Sequence, residues 1–124
     1  MGNSSVYIPL KKKRDFENLR NSGVVIHVTH WLMVVCLPNS VSENRVGWTL
    51  PKFVGNAVVR NRLRRWGRER VKVWDFAEFP KSLDLNFVFK KRAAGFYKTL
   101  DREEFGIAFS RAFEKVKNRY ERFD

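Results

Sequence analysis

The 124 residues predict an α+β fold with elements in the order α-β-β-β-α-β-α. Three observations lead there. Runs rich in β-branched and aromatic residues fall at 24–37, 45–50 and 85–89. Apolar residues recur at helical spacing across 56–74 and again across 105–120. The length suits one core, and eleven Phe with four Trp supply the bulk to fill it.

The elements follow in order. Residues 1–12 read as a flexible basic arm ahead of a single domain spanning 13–124. Its opening "MGNSSV" has the form of a myristoylation signal, and so short a match is taken as chance. A short helix is predicted over 13–21, with Phe16 and Leu19 on one face and Gly23 able to stop it. Residues 24–29 and 31–37 read as one bent strand or two. "PNSVSEN" is turn chemistry, and a further strand over 45–50 ends at Pro51.

A long helix is predicted from Asn56 to Val73 or Trp74, with Asn56 as N-cap. Its buried stripe is read as Val59, Leu63, Trp66 and Val73. Gly67 falls in mid-helix, so either a close contact needs it or the helix is weak there. "FPKS" is a loop, "LNFVF" a strand, and "KKRAAG" a basic exit. The last helix starts at a capping box, Asp101 and Glu104, flanked by Leu100 and Phe105 as a staple. Phe105, Ala108, Phe109, Ala112, Phe113, Val116 and Tyr120 form its buried stripe.

Charge narrows the function. The formal net charge is +12, from 25 Lys+Arg against 13 Asp+Glu. Such an excess argues for a polyanionic partner. It is concentrated between Arg60 and Lys72, where seven bases face only Glu69. At about 100° per residue, Arg60, Arg64 and Arg68 form one row and Asn61, Arg65 and Lys72 its neighbour. Arg62 lies to another side, with Glu69 nearby. Guanidinium groups bind phosphate through paired hydrogen bonds and stack on bases. Asn61 adds an uncharged donor and acceptor. A solvated charged face would mix signs, and a membrane helix would need a wider apolar side. No helix-turn-helix surrounds this helix, so RNA is favoured over duplex DNA.

Chemistry of the chain's own is hard to find in the sequence. His27 and His30 are three apart on an extended segment, which puts them on opposite faces as ordinary strand-edge residues. Asp101, Glu103 and Glu104 cluster at a helix N-terminus, where capping explains them. No Cys/His metal pattern is present, and the single Cys36 reads as a small buried hydrophobe. No catalytic or metal-ligating residue is assigned. The apolar runs are far shorter than a membrane span, so a cytoplasmic protein with no membrane partner is expected.

The string "RVGWTLPKFVGNAVVRNRLRRWGRER" resembles the bacterial ribonuclease P protein-subunit family. Lys52, Gly55, Ala57, Val58, Arg60, Asn61, Arg62, Arg64, Arg65, Arg68 and Glu69 carry the match. "LKKKRDF" resembles the family's first helix. Three positions depart from its pattern: Phe53 where a base is usual, Gly67 where an aliphatic is usual, and Arg20 in place of a second aromatic. The resemblance implies a ribosomal-protein-like sandwich with a left-handed βαβ crossover. It also implies a ribonucleoprotein whose large RNA, using magnesium held mainly by that RNA, cuts the 5′ leader from precursor tRNA. Carried over by position, Lys52, Arg60, Asn61, Arg62, Arg64, Arg65 and Arg68 face the catalytic RNA. Phe16 and Arg20, with Leu32 and Val34 on alternate positions of the second strand, would line the leader cleft. For Phe16, Leu32 and Val34, plain core is the other reading. For the whole chain, the other reading is a basic ribosomal or RNA-chaperone protein without a processing role.

Overall fold

The computed structural model describes residues 6–121. The chain runs β1 (Ile8–Pro9), α1 (Lys13–Ser22), β2 (Val24–His27), β3 (Leu32–Pro38), β4 (Arg45–Thr49), α2 (Ala57–Lys72), β5 (Leu83–Phe89) and α3 (Arg102–Glu121). Single 3₁₀ turns at Lys52–Val54 and Phe76–Glu78 precede and follow α2. The strands form one sheet in the order β1-β4-β5-β3-β2. β2, β3 and β5 pair antiparallel, whereas β4 lies parallel to both β5 and β1. Parallel neighbours cannot be joined by a tight turn, so β4 and β5 need a crossover, and α2 supplies it.

The sheet sorts its residues by parity. Leu32, Val34 and Cys36 of β3, Val46 and Trp48 of β4, and Leu85, Phe87 and Phe89 of β5 point to the face covered by α2 and α3. Met33, Val35 and Leu37, with Val88, point to the opposite face, where Leu10, Phe16 and Leu19 cover them. The larger core is aromatic: Phe105 stacks on Phe109 at 4.6 Å, and Trp48 on Phe87 at 5.0 Å. Cys36 is buried within it, and that burial pushes its thiol pKa up to about 12. No helix of the described residues is long and apolar enough to cross a membrane.

The helix signals read from sequence have visible causes. The Asn56 side chain accepts from the Val59 N–H at 3.0 Å, capping α2. Asp101 accepts from the Glu104 N–H at 3.2 Å, and Leu100 and Phe105 are both buried beside it. Gly55, just before α2, has φ 153° and ψ −172°, a region essentially closed to other residues. Gly67 is there for close contact. A Cβ built on it would lie 2.6 Å from Cη2 of Trp48, whose ring rises from β4 into α2.

Two expectations need correction. Part of the expected arm is built into the sheet: Ile8 N–H donates to Asn44 O at 2.9 Å, Leu10 N–H to Val46 O at 2.8 Å, and Leu10 is buried. Residues 1–5, which hold all of the "MGNSSV" motif but Val6, lie outside the described residues. Of the two readings of residues 24–37, the structure takes two strands. Val73 leaves the α2 stripe. The helix ends at Lys72, Val73 is 78% exposed, and Gly67 and Val71 complete the buried row with Val59 and Leu63.

Candidate nucleic-acid interface

α2 turns one face to Trp48 and the core, which leaves its arginines along the remaining surface. Arg65 and Arg68 are exposed and make no hydrogen bond or ion pair with any described residue. Arg64 donates from Nη1 to Asn61 Oδ1 at 2.9 Å, which orders both side chains outside the fold. Arg60 uses only its Nε, donating to Gly55 O at 3.1 Å. Lys52 is exposed in the turn ahead of the helix. Arg62 differs. Its Nη2 donates to the carbonyls of Tyr97 and Lys98 at 3.0 and 2.9 Å, and its guanidinium lies 5.1 Å from the Trp66 ring centre.

Carboxylates do not neutralise this array. Among the described residues, the ion pairs are Arg45 with Asp15 and Asp84, Arg102 with Glu69, and Lys117 with Glu78 and Glu121. Glu69, the one acid within α2, is therefore engaged by α3 at 2.8 Å. Guanidinium groups held at i, i+4 spacing without internal counter-ions are suited to rows of phosphate.

On the other sheet face, α1 leaves a groove of about 380 Å³. Phe16, Leu19 and Arg20 form its α1 side. Val25, Met33, Val35 and Val88 supply an apolar floor, and Thr49 and Asn86 a polar strip. Those two pair with each other, Asn86 Nδ2 donating to Thr49 Oγ1 at 2.9 Å. Of the four residues expected to share a cleft, Phe16 and Arg20 line this groove. Leu32 and Val34 do not: both are fully buried on the α2/α3 face. Their odd-numbered neighbours Met33 and Val35 line the groove instead, because a one-residue change of phase moves every side chain to the other face. The run "LMVVCL" is apolar throughout, so alternation offered no signal for the phase.

The remaining polar residues have structural roles. His27 Nδ1 lies 2.9 Å from Lys90 Nζ at the sheet end, and His30 meets Phe96 edge-on. Asp101 caps α3.

A family model described as Ribonuclease P matches residues 7–119. The chain belongs to the ribonuclease P protein family. It is 33% identical over 115 residues to the ribonuclease P protein component of Citrifermentans bemidjiense, covering 90% of each. Against that of Finegoldia magna it is 34% identical over 95 residues, or 76% of this chain and 81% of the other. A ribonuclease P protein structure from Staphylococcus aureus superposes with a TM-score of 0.75, covering 90% of this chain and 97% of that one at 20% identity. One from Thermotoga maritima gives 0.65, covering 94% and 97% at 24% identity. These two structures share the fold. In this ribonuclease P protein, Gly67 is matched by Trp48, whose ring fills the space a side chain at 67 would need.

Proposed function

We propose that this chain is the protein subunit of a ribonuclease P ribonucleoprotein that removes the 5′ leader from precursor tRNA. Catalytic RNA performs the cleavage, and the protein supplies binding energy. The observation that carries this reading is the α2 array: Arg60, Arg64, Arg65 and Arg68 have no carboxylate partner among the described residues. With Lys52 and Asn61 they grip phosphates of the folded RNA. Across the sheet, the groove under α1 takes the single-stranded leader. Its apolar floor of Met33, Val35 and Val88, the Phe16 ring and the Arg20 cation combine the features that track an unpaired strand. Arg20 meets leader phosphate where an aromatic would have stacked on a base.

Magnesium in this reading belongs to the RNA. Among the described residues no three His, Cys, Asp or Glu side chains gather where they could share an ion. The place of action is the cytoplasm, where precursor tRNA is made.

Affinity for precursor and mature tRNA, measured with the catalytic RNA in the presence and absence of protein, tests the reading. The protein is expected to tighten precursor binding by about tenfold or more, the worth of one or two base contacts, and to leave mature tRNA nearly unchanged. Equal help to both, or to unrelated RNAs, would point to an RNA chaperone. Cleavage by the polypeptide with all RNA subunit removed would end the proposed division of labour.

A further inference from the structure

A second pocket, of about 430 Å³, opens where β1, α1 and α2 meet at the sheet edge. Tyr7, Leu10, Phe16 and Trp48 line it together with Arg64 and Arg68. Its three aromatic rings come from separate segments, and each is only half-buried. Each is also pinned from behind. Tyr7 packs on Phe76 at 5.8 Å, and Trp48 stacks on Phe87 beneath Gly67. Phe16 lies so close to Gly47 that a Cβ there would sit 2.6 Å from its ring.

The polar groups at this pocket match the rings in purpose. Arg64 and Arg68 are one helical turn apart and have no carboxylate partner among the described residues. The Tyr7 phenol is a donor at neutral pH, and burial pushes its pKa further up against a downward pull from Arg68. Flat apolar walls, a phenol donor and two guanidinium groups suit a base joined to its phosphate. The volume falls in the range of small-ligand pockets. The leader groove has its own lining and shares only Phe16 with this pocket. Arg64 and Arg68 belong to the row that faces the folded RNA, which decides the source of the occupant.

We propose that the Tyr7–Phe16–Trp48 pocket receives one unstacked nucleotide of the catalytic RNA, its base between the rings and its phosphate on Arg64 and Arg68. This rests on the functional reading above. The test uses the full chain and the catalytic RNA. A photo-crosslinker placed as Tyr7→benzoylphenylalanine is expected to mark one unpaired nucleotide of that RNA, with or without precursor tRNA. Crosslinks confined to the precursor, to a paired stem, or absent while the RNA is bound would overturn the proposal. In binding assays, Tyr7→Ala and Arg68→Gln are each expected to weaken RNA affinity about tenfold, with Tyr7→Phe, which keeps the ring and loses the donor, falling between Tyr7→Ala and wild type. If Tyr7→Ala melts as wild type and binds unchanged, while Arg65→Ala still weakens binding, the pocket assignment alone falls. If the wild-type chain fails to bind the catalytic RNA, the functional reading falls and the pocket with it. Should Tyr7→Ala not fold, the crosslink decides.

Discussion

Gly67 and Trp48 act as a pair. A mid-helix glycine costs about 1 kcal/mol relative to alanine, yet adding a methyl at 67 would drive it into the six-membered ring of Trp48. Gly67→Ala is therefore expected to destabilise the fold by about 1–3 kcal/mol despite its better propensity. Combining it with Trp48→Leu, which frees the space, is expected to recover part of the loss. Urea melts of both single variants and the double give the coupling energy, and additive losses would show that the two residues do not share the space. Arg62 and Arg65, three apart in sequence, divide along another line. Arg62 ties the loop at Tyr97 and Lys98 to α2 through two carbonyls, whereas Arg65 has no hydrogen-bonding partner within the described residues. Arg62→Ala is expected to lower stability by about 1 kcal/mol through the loss of these two hydrogen bonds. Arg65→Ala should leave the melting curve alone and weaken RNA binding. Identical thermal melts for the two variants would remove the distinction.

At the scale of elements, the groove exists because α1 is tied to the sheet at its N-terminal end. Arg45 of β4 makes the tie. Its Nε and Nη2 donate to the two Asp84 oxygens at 2.7 and 2.8 Å, and Nη1 reaches Asp15 of α1 at 3.3 Å. The hydrogen bond to Asp84 is the main cause of its raised pKa. The Asp84 side chain is 5% exposed, so removing the arginine leaves a buried carboxylate with only Asn39 Nδ2 as side-chain donor. Arg45→Met is expected to cost about 3–5 kcal/mol and Arg45→Met/Asp84→Leu much less, measured by denaturant titration. Hydrogen exchange should rise first in α1 of the single variant. None of this network was readable in the sequence, because its members lie some 30 to 45 residues apart. Local signals were readable. The Asn56 and Asp101 caps act on backbone N–H groups three residues away, and the α3 stripe repeats over five turns. Phase was the weak point. The uniform apolarity of β3 hid which residues face α1, and β1, two residues with a proline, was too short to show a pattern.

Among the described residues, the acids that form ion pairs do so with bases outside the arginine row. Asp15 and Asp84 are held by Arg45, Glu69 by Arg102, and Glu78 and Glu121 by Lys117. α2 alone carries seven bases against Glu69, half of the chain's net charge of +12, and most of it is presented uncompensated. Bound phosphate replaces the missing counter-ions and releases condensed cations, which makes affinity steeply salt-dependent. If about six phosphates are neutralised, log affinity falls by about four to five per decade of salt. Arg65→Ala is expected to shallow that slope by about one, and Arg62→Ala, whose guanidinium serves the fold, to leave it unchanged. Magnesium sharpens the test, since it competes with the arginines for phosphate while stabilising the RNA fold. The protein is therefore expected to matter most at modest ionic strength. Precursor cleavage followed with and without protein across a magnesium series should show the two curves converge as magnesium rises. Curves that stay equally far apart at high magnesium would mean that the protein contributes something other than phosphate screening and alignment.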